Sequence, residues 1–147
     1  MRKLGIDYGD VRVGIAITDE LGITAQGLET ITCNRNDKML LRRLDEILMK
    51  YQIDTIVIGL PLNMNGEETE RTQITERLIH KLKCKYNKIN IETVDERLTT
   101  VQAHKTMNDL NIKKSKKRSI VDSIAAVYIL ETYINNPQNI ENNKNKI

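Results

Sequence analysis

The sequence predicts an α/β domain in which one sheet is covered by helices on both faces. Two observations carry that prediction. Asp54–Leu60 contains an almost unbroken apolar run, Thr55-Ile56-Val57-Ile58, bounded by turn residues. That is the pattern of a strand buried on both faces. Before and after it lie stretches whose leucines and isoleucines recur at the helical period. At 147 residues the chain has the length of one domain, enough to bury a core without a disulfide or metal staple.

The first two strands form a hairpin, Lys3 to Gly9 and Val11 to Thr18, turning at Gly9-Asp10, where glycine is expected to supply a positive φ. Side chains alternate along a strand, so Leu4, Ile6 and Tyr8 share one face and Gly5, Asp7 and Gly9 the other. In the second strand Val11, Val13, Ile15 and Ile17 face one way, and Arg12, Gly14, Ala16 and Thr18 the other. A third strand is expected over Ile23 to Thr32, after a turn at Glu20-Leu21-Gly22. Asp37 is the expected N-cap of a helix from Lys38 to about Tyr51, with Leu40, Leu41, Leu44, Ile47 and Leu48 as its buried stripe.

The strand at 54–60 leads into Gly59-Leu60-Pro61-Leu62-Asn63-Met64-Asn65-Gly66. Ligands of open α/β sheets gather beyond the carboxyl ends of strands, and the amides of Asn63 and Asn65 could bond to phosphates or bases. The alternative is a plain connecting loop. A helix from about Glu68 to Tyr86 follows, with Ile74, Leu78 and Leu82 on one side. Ile89 to Val94 is the last strand and ends in Asp95-Glu96-Arg97. Thr99 and Gln102 have capping-box spacing for a helix to about Leu110. The final helix is expected over Ser119 to Ile134, where Ile120, Ile124, Val127 and Leu130 make the apolar face and Ala125-Ala126 permit close packing. The domain is expected to span 1–135. Residues 136–147, too poor in apolar side chains to order themselves, are expected to be a disordered tail.

The net charge of +3 is unevenly placed. Lys113, Lys114, Lys116, Lys117 and Arg118 are five of the 23 basic residues, and without them acids outnumber bases. A local basic patch is the footprint of a polyanion site; a solvated loop is the bland alternative. With five Tyr and neither Trp nor Phe, base stacking on aromatic platforms is at most a minor device. Cys33 and Cys84 have no metal or disulfide spacing and read as reduced thiols. His80 and His104 lack ligand-spaced partners. The absence of an apolar leader or membrane-length run leads us to expect a cytoplasmic protein.

The chemistry is carried by acids. Asp7 sits mid-strand between two residues without side chains, which clears room beside its carboxylate. Asp95-Glu96 ends the last strand, and Asp122 lies near the start of the last helix. If that helix packs across the first strand, these carboxylates converge. Crowded carboxylates need a counter-charge to stay ionised, and all-oxygen ligation favours Mg²⁺ or Mn²⁺. Such ions can activate water and stabilise a leaving oxygen in phosphodiester hydrolysis. Each acid also has a structural alternative: Asp7 a turn former, Asp95 or Glu96 a partner of Arg97, and Asp122 the end of an S-x-x-D cap begun by Ser119.

Gly5-Ile6-Asp7-Tyr8-Gly9 with Arg12-Val13-Gly14, the Gly59–Gly66 loop, Asp95-Glu96-Arg97-Leu98-Thr99-Thr100, and Val121-Asp122-Ser123 with Ala125-Ala126 together resemble the YqgF (RuvX) family over about residues 2–135. Thr18-Asp19 stands where that family often has Ser-Asp. These are bacterial ribonuclease-H-like proteins described as Holliday-junction resolvases and as nucleases for the 5′ end of precursor 16S ribosomal RNA. The resemblance implies a mixed five-stranded sheet with its first three strands antiparallel and helices on both faces. It implies metal-binding, catalytic roles for Asp7, for Glu96 or its neighbour Asp95, and for Asp122, and phosphate contacts for Arg12 and Arg97.

The leading expectation is therefore a Mg²⁺- or Mn²⁺-dependent nuclease acting on precursor 16S rRNA, with ribosomal particles as candidate partners. The protein would be a monomer or homodimer with no membrane association. A four-way DNA junction is the rival substrate. A non-catalytic RNA-binding assembly factor and a nucleotide-binding ATPase are rivals of other classes. The ATPase reading rests on a phosphate-loop-like first strand, but such enzymes need two such domains around a cleft.

Overall fold

A computed structural model of the chain describes residues 1–96 and 114–136, with side chains described for 1–96 and 123–136. The strands are β1 (Arg2–Tyr8), β2 (Arg12–Thr18), β3 (Ala25–Thr32), β4 (Ile53–Leu60) and β5 (Asn90–Asp95). The helices are α1 (Asp37–Lys50), α2 (Glu70–Lys85) and α3 (Lys114–Ile134). The expected helix at 99–110, Arg97, Lys113 and the tail from 137 lie outside the described residues.

The strands form one sheet in the order β3-β2-β1-β4-β5. β1 pairs antiparallel with β2, and β2 with β3. β4 runs parallel to β1, and β5 parallel to β4. This is the mixed sheet expected above. The carboxyl ends of β1, β4 and β5 therefore lie along a common edge.

Alternation along the strands divides the core into two layers. Leu4, Ile6, Val13, Ile15, Ile17, Ile56 and Ile58 face α1 and α2, where Leu40, Leu44, Ile47, Leu78 and Leu82 meet them. On the other face Ala16 and Val57 pack under Ala126, Ile129 and Leu130 of α3. The approach of α3 is close: a Cβ on Gly5 would lie 2.6 Å from Leu130 Cγ and 2.8 Å from the carbonyl oxygen of Ala126. The helix does pack across the first strand, on the face that carries Asp7. Among the described residues no helix is long and apolar enough to cross a membrane.

Several boundaries differ from expectation. Gly9 has no positive φ. Its role is steric, because a Cβ there would stand 2.4 Å from the Arg12 carbonyl oxygen, which accepts the Gly9 N–H at 3.1 Å. Val11 lies in the turn and is exposed. β3 starts at Ala25 because Asp19 Oδ1 accepts from the Ile23 and Thr24 amides and holds 19–24 in a turn. Asn36, not Asp37, caps α1, its side chain accepting from Lys38 N. Thr69 caps α2 in a reciprocal box with Thr72. The largest difference is α3, which begins at Lys114. Ser119 and Asp122 are therefore interior to the helix, and the cap proposed for them does not exist. Lys114, Lys116, Lys117 and Arg118 occupy its first turns rather than a loop.

Candidate active site

Asp7 is the penultimate residue of β1, and its backbone pairs with Gly14 of β2. Gly5 and Gly14 keep the sheet bare beside it, and α3 covers the same face. On β5 Val94 packs into the α3 layer, so the pleat turns Asp95 to the opposite face and Glu96 back towards Asp7. Glu96 Cδ lies 3.6 Å from where a Cβ on Gly59 would be, which puts its carboxyl over the carboxyl end of β4.

Asp7 and Glu96 meet by a side-chain hydrogen bond. Burial is the largest influence on Asp7, and it raises the carboxyl pKa well above its ordinary value. The Glu96 hydrogen bond and charge push the same way; Arg71 pulls it down. Two carboxyls held this close repel when ionised, and a cation between them would relieve that repulsion. The donor set here is oxygen alone, without Cys or His, and suits a hard divalent ion. Among the described residues no three potential ligand side chains come together. Asp122 is placed on the α3 backbone, and its side chain lies outside the described residues.

Arg12 opens β2 on the same face as Gly14 and Ala16, hence as Asp7. Asn63 and Asn65 lie in the loop after β4. Their side-chain oxygens both accept from Glu67 N, at 2.9 and 3.4 Å. The amides expected to reach a substrate thus brace their own loop, which Gly66 closes at φ +85°.

Sequence reasoning missed Arg71. From the first turn of α2 its guanidinium reaches back to the first hairpin, bonding Asp10 at 2.6 Å and the carbonyl oxygen of Tyr8. It also lies over the Tyr8 ring, 5.4 Å from the centroid. Tyr8 in turn donates to Asp37 at 2.5 Å, and Lys81 donates to the other Asp37 oxygen at 2.9 Å. Burial and the Asp37 carboxylate hold the Tyr8 hydroxyl protonated far above its usual range. These partners are 29 to 63 positions apart in sequence, so no local spacing announces them. One signal was available: a basic residue in a helix's first turn opposes the helix dipole and calls for an acid from elsewhere.

A mixed sheet in this order with helices on both faces is the ribonuclease-H-like fold, and it brings paired carboxylates to the shared strand edge. The chain belongs to the RuvX family, whose model, described as "Holliday junction resolvase", matches residues 1–136. A Ruminiclostridium cellulolyticum protein named "Putative pre-16S rRNA nuclease" is 53% identical over 134 residues, covering 91% of this chain and 94% of its own. One of the same name from Acetivibrio thermocellus is 49% identical, covering 91% and 95%. Among solved structures, Thermus thermophilus RuvC shares the fold with a TM-score of 0.53 at 12% identity, covering 90% of this chain and 95% of that one. Fowlpox virus resolvase, solved with Holliday junction DNA, gives 0.51 at 15% identity, covering 90% and 98%.

Proposed function

We propose that residues 1–135 form a cytoplasmic, divalent-metal-dependent nuclease that trims the 5′ end of precursor 16S rRNA. The observation that carries the reading is the Asp7–Glu96 pair: two carboxylates forced together on the face that α3 covers, one with its pKa raised by burial. Asp7 and Glu96 would hold Mg²⁺ or Mn²⁺, with Asp122 as third ligand from α3. When bound, such an ion supplies an activated water and charge for the leaving oxygen in phosphodiester hydrolysis. Arg12 on the same face would meet a substrate phosphate, and Arg71 offsets the acid cluster from the far side. Arg97 and the basic run Lys113, Lys114, Lys116, Lys117 and Arg118 would hold the nucleic-acid backbone, with sequence-independent, salt-sensitive affinity. The substrate class rests on the names of relatives that match almost end to end.

The family description favours a second substrate, a four-way DNA junction. The experiment is a side-by-side digestion with Mn²⁺ of a 5′-extended 16S precursor and a synthetic junction, using the wild type, Asp7→Asn and Glu96→Gln. Cleavage of the precursor alone, lost in both variants, is the expected result. Preferential cutting of the junction would transfer the assignment to the second substrate. Tight RNA binding without metal-dependent cleavage would make the protein a non-catalytic assembly factor.

A further inference from the structure

On the side of the sheet away from α3 lies a half-open cleft of about 590 Å³, between the β1–β2 turn, the start of α1 and one face of α2. Neither Asp7 nor Glu96 lines it, but it shares the same strand edge: Tyr8, the residue after Asp7 on β1, lies in its wall. Arg35, Arg71, Arg77 and Lys81 line it, against Asp10, Asp37 and Glu70. The charges are not equivalent. Arg71 is fixed by Asp10 and the Tyr8 carbonyl, and Lys81 by Asp37. These pairs use up the Asp10 and Asp37 carboxylates as walls of the cleft. Arg77 has no ion pair or hydrogen bond among the described residues, and Arg35 reaches Asp10 only at 3.9 Å with its side chain 79% exposed.

The backbone supports that presentation. Asn34 and Arg35 both adopt positive φ, 48° and 65°, a conformation uncommon in residues with a Cβ. The Asn34 and Arg35 amides are tied to the carbonyls of Val11 and Asp10 at 3.0 and 2.8 Å. The hairpin turn thus holds Arg35 at the mouth of the cleft in a strained conformation, the kind retained where a side chain must point one way. Among the described residues Tyr8 is the one aromatic side chain in the lining and Ile74 the one aliphatic, and a face of the Tyr8 ring is already covered by Arg71.

We propose that this cleft is a second phosphodiester subsite, in which Arg35 and Arg77 bind backbone phosphates of the nucleic-acid strand leading away from the Asp7–Glu96 pair. The proposal rests on the nuclease reading above. It adds that the substrate crosses the sheet edge and is gripped on both sides of it, without base recognition on the α2 side.

The test measures binding, in EDTA so that nothing is cut. A fluorescent stem-loop RNA with a single-stranded 5′ extension is titrated by anisotropy across a salt series. The proteins are wild type, Arg35→Gln/Arg77→Gln and Arg77→Lys. Each lost phosphate contact lowers the slope of log affinity against log salt by about 0.7 to 0.9. The double variant should therefore lose about 1.4 to 1.8 units of slope at an unchanged melting temperature, and equally for an RNA of unrelated sequence. Arg77→Lys, which keeps the charge, should retain the wild-type slope. A double variant with the wild-type slope overturns the cleft while leaving the nuclease reading standing. A wild type that binds neither RNA overturns both. Free nucleotide is the other source of the same chemistry. ATP should compete only weakly; saturation by micromolar ATP that the double variant abolishes would assign the cleft to a mononucleotide and overturn the proposal.

Discussion

Asp7 is uncomfortable as the folded protein stands: burial, and then the Glu96 hydrogen bond and charge, hold its carboxyl pKa well above the ordinary value. Its carboxyl ionises near the ordinary value in the unfolded chain but only at higher pH in the folded one. The folded state is therefore favoured while Asp7 is protonated, and that advantage is lost as pH rises from the ordinary carboxylate range through the raised value. Asp7→Asn removes the titration. In metal-free buffer its melting temperature relative to wild type should climb as pH rises from about 4 through the raised value, the variant equalling or exceeding wild type at the upper end. A difference that is flat with pH would show that Asp7 pays no burial cost. Saturating Mn²⁺ should reverse the order at high pH, since an ion at 100 times its Kd stabilises by about 2.7 kcal/mol and the variant has lost a ligand. At this scale the sequence was informative about Asp7, because alternation alone places it between Gly5 and Gly9. It left Asp95 and Glu96 open, since choosing between them requires knowing which face Val94 packs on. Arg71 was missed, and the Glu67 amide that Asn63 accepts from was not foreseen, because a side chain's composition does not reveal which distant carboxylate, carbonyl or amide it will meet.

At the scale of elements, α3 sets the geometry of the site. Gly5 and Gly59 both lie under it, but they differ in what a methyl group would strike. At Gly5 it would meet Leu130 Cγ and the backbone oxygen of Ala126; at Gly59 it would meet Ile129 Cδ1 at 2.6 Å, the far end of a flexible side chain. Gly5→Ala should therefore cost about 1–3 kcal/mol, as overpacking does, and Gly59→Ala less. By lifting the helix that carries Asp122 off β1, Gly5→Ala should also weaken Mn²⁺ binding, measured by calorimetry below the variant's melting temperature. Unchanged affinity would mean that α3 does not contribute a ligand. The extra turns of α3 were illegible because the period signal begins only at Ile120. The preceding Lys-Ser-Lys-Lys-Arg has neither an apolar stripe nor an acid for the helix start, and positive charge there works against the dipole. A polyanion would relieve it. Lys114→Gln/Lys117→Gln should reduce the salt slope of RNA binding by up to about 1.8, and an unaltered slope would make those turns a merely solvated helix end.

For the molecule as a whole, strand types and most helices followed from local pattern, whereas the sheet order did not. The residues of β1 and β4 contain nothing that says they pair with each other; the family resemblance supplied a mixed sheet with its first three strands antiparallel, and the order itself was read only from the structure. The two layers over that sheet are unequal. Among the described residues fifteen buried side chains form the layer under α1 and α2, and five form the layer under α3, two of them alanines. A large buried side chain stabilises by about 1.5–3 kcal/mol, so among the described residues α3 is held by less apolar burial than the rest. It also sits above a carboxylate pair that is unfavourable without a cation. Openings that release a weakly held element occur below the global unfolding free energy. In EDTA, amides of α3 from Ala125 to Leu130 should therefore exchange with solvent through a smaller free energy than those of Ile56 and Ile58 in β4. Adding Mg²⁺ should selectively slow exchange in α3, because an ion bound by Asp7, Glu96 and Asp122 ties helix to sheet. The effect should vanish in Asp7→Asn. Equal protection of α3 and β4 in EDTA, with no response to Mg²⁺, would refute both the layered stability and the bridging ion.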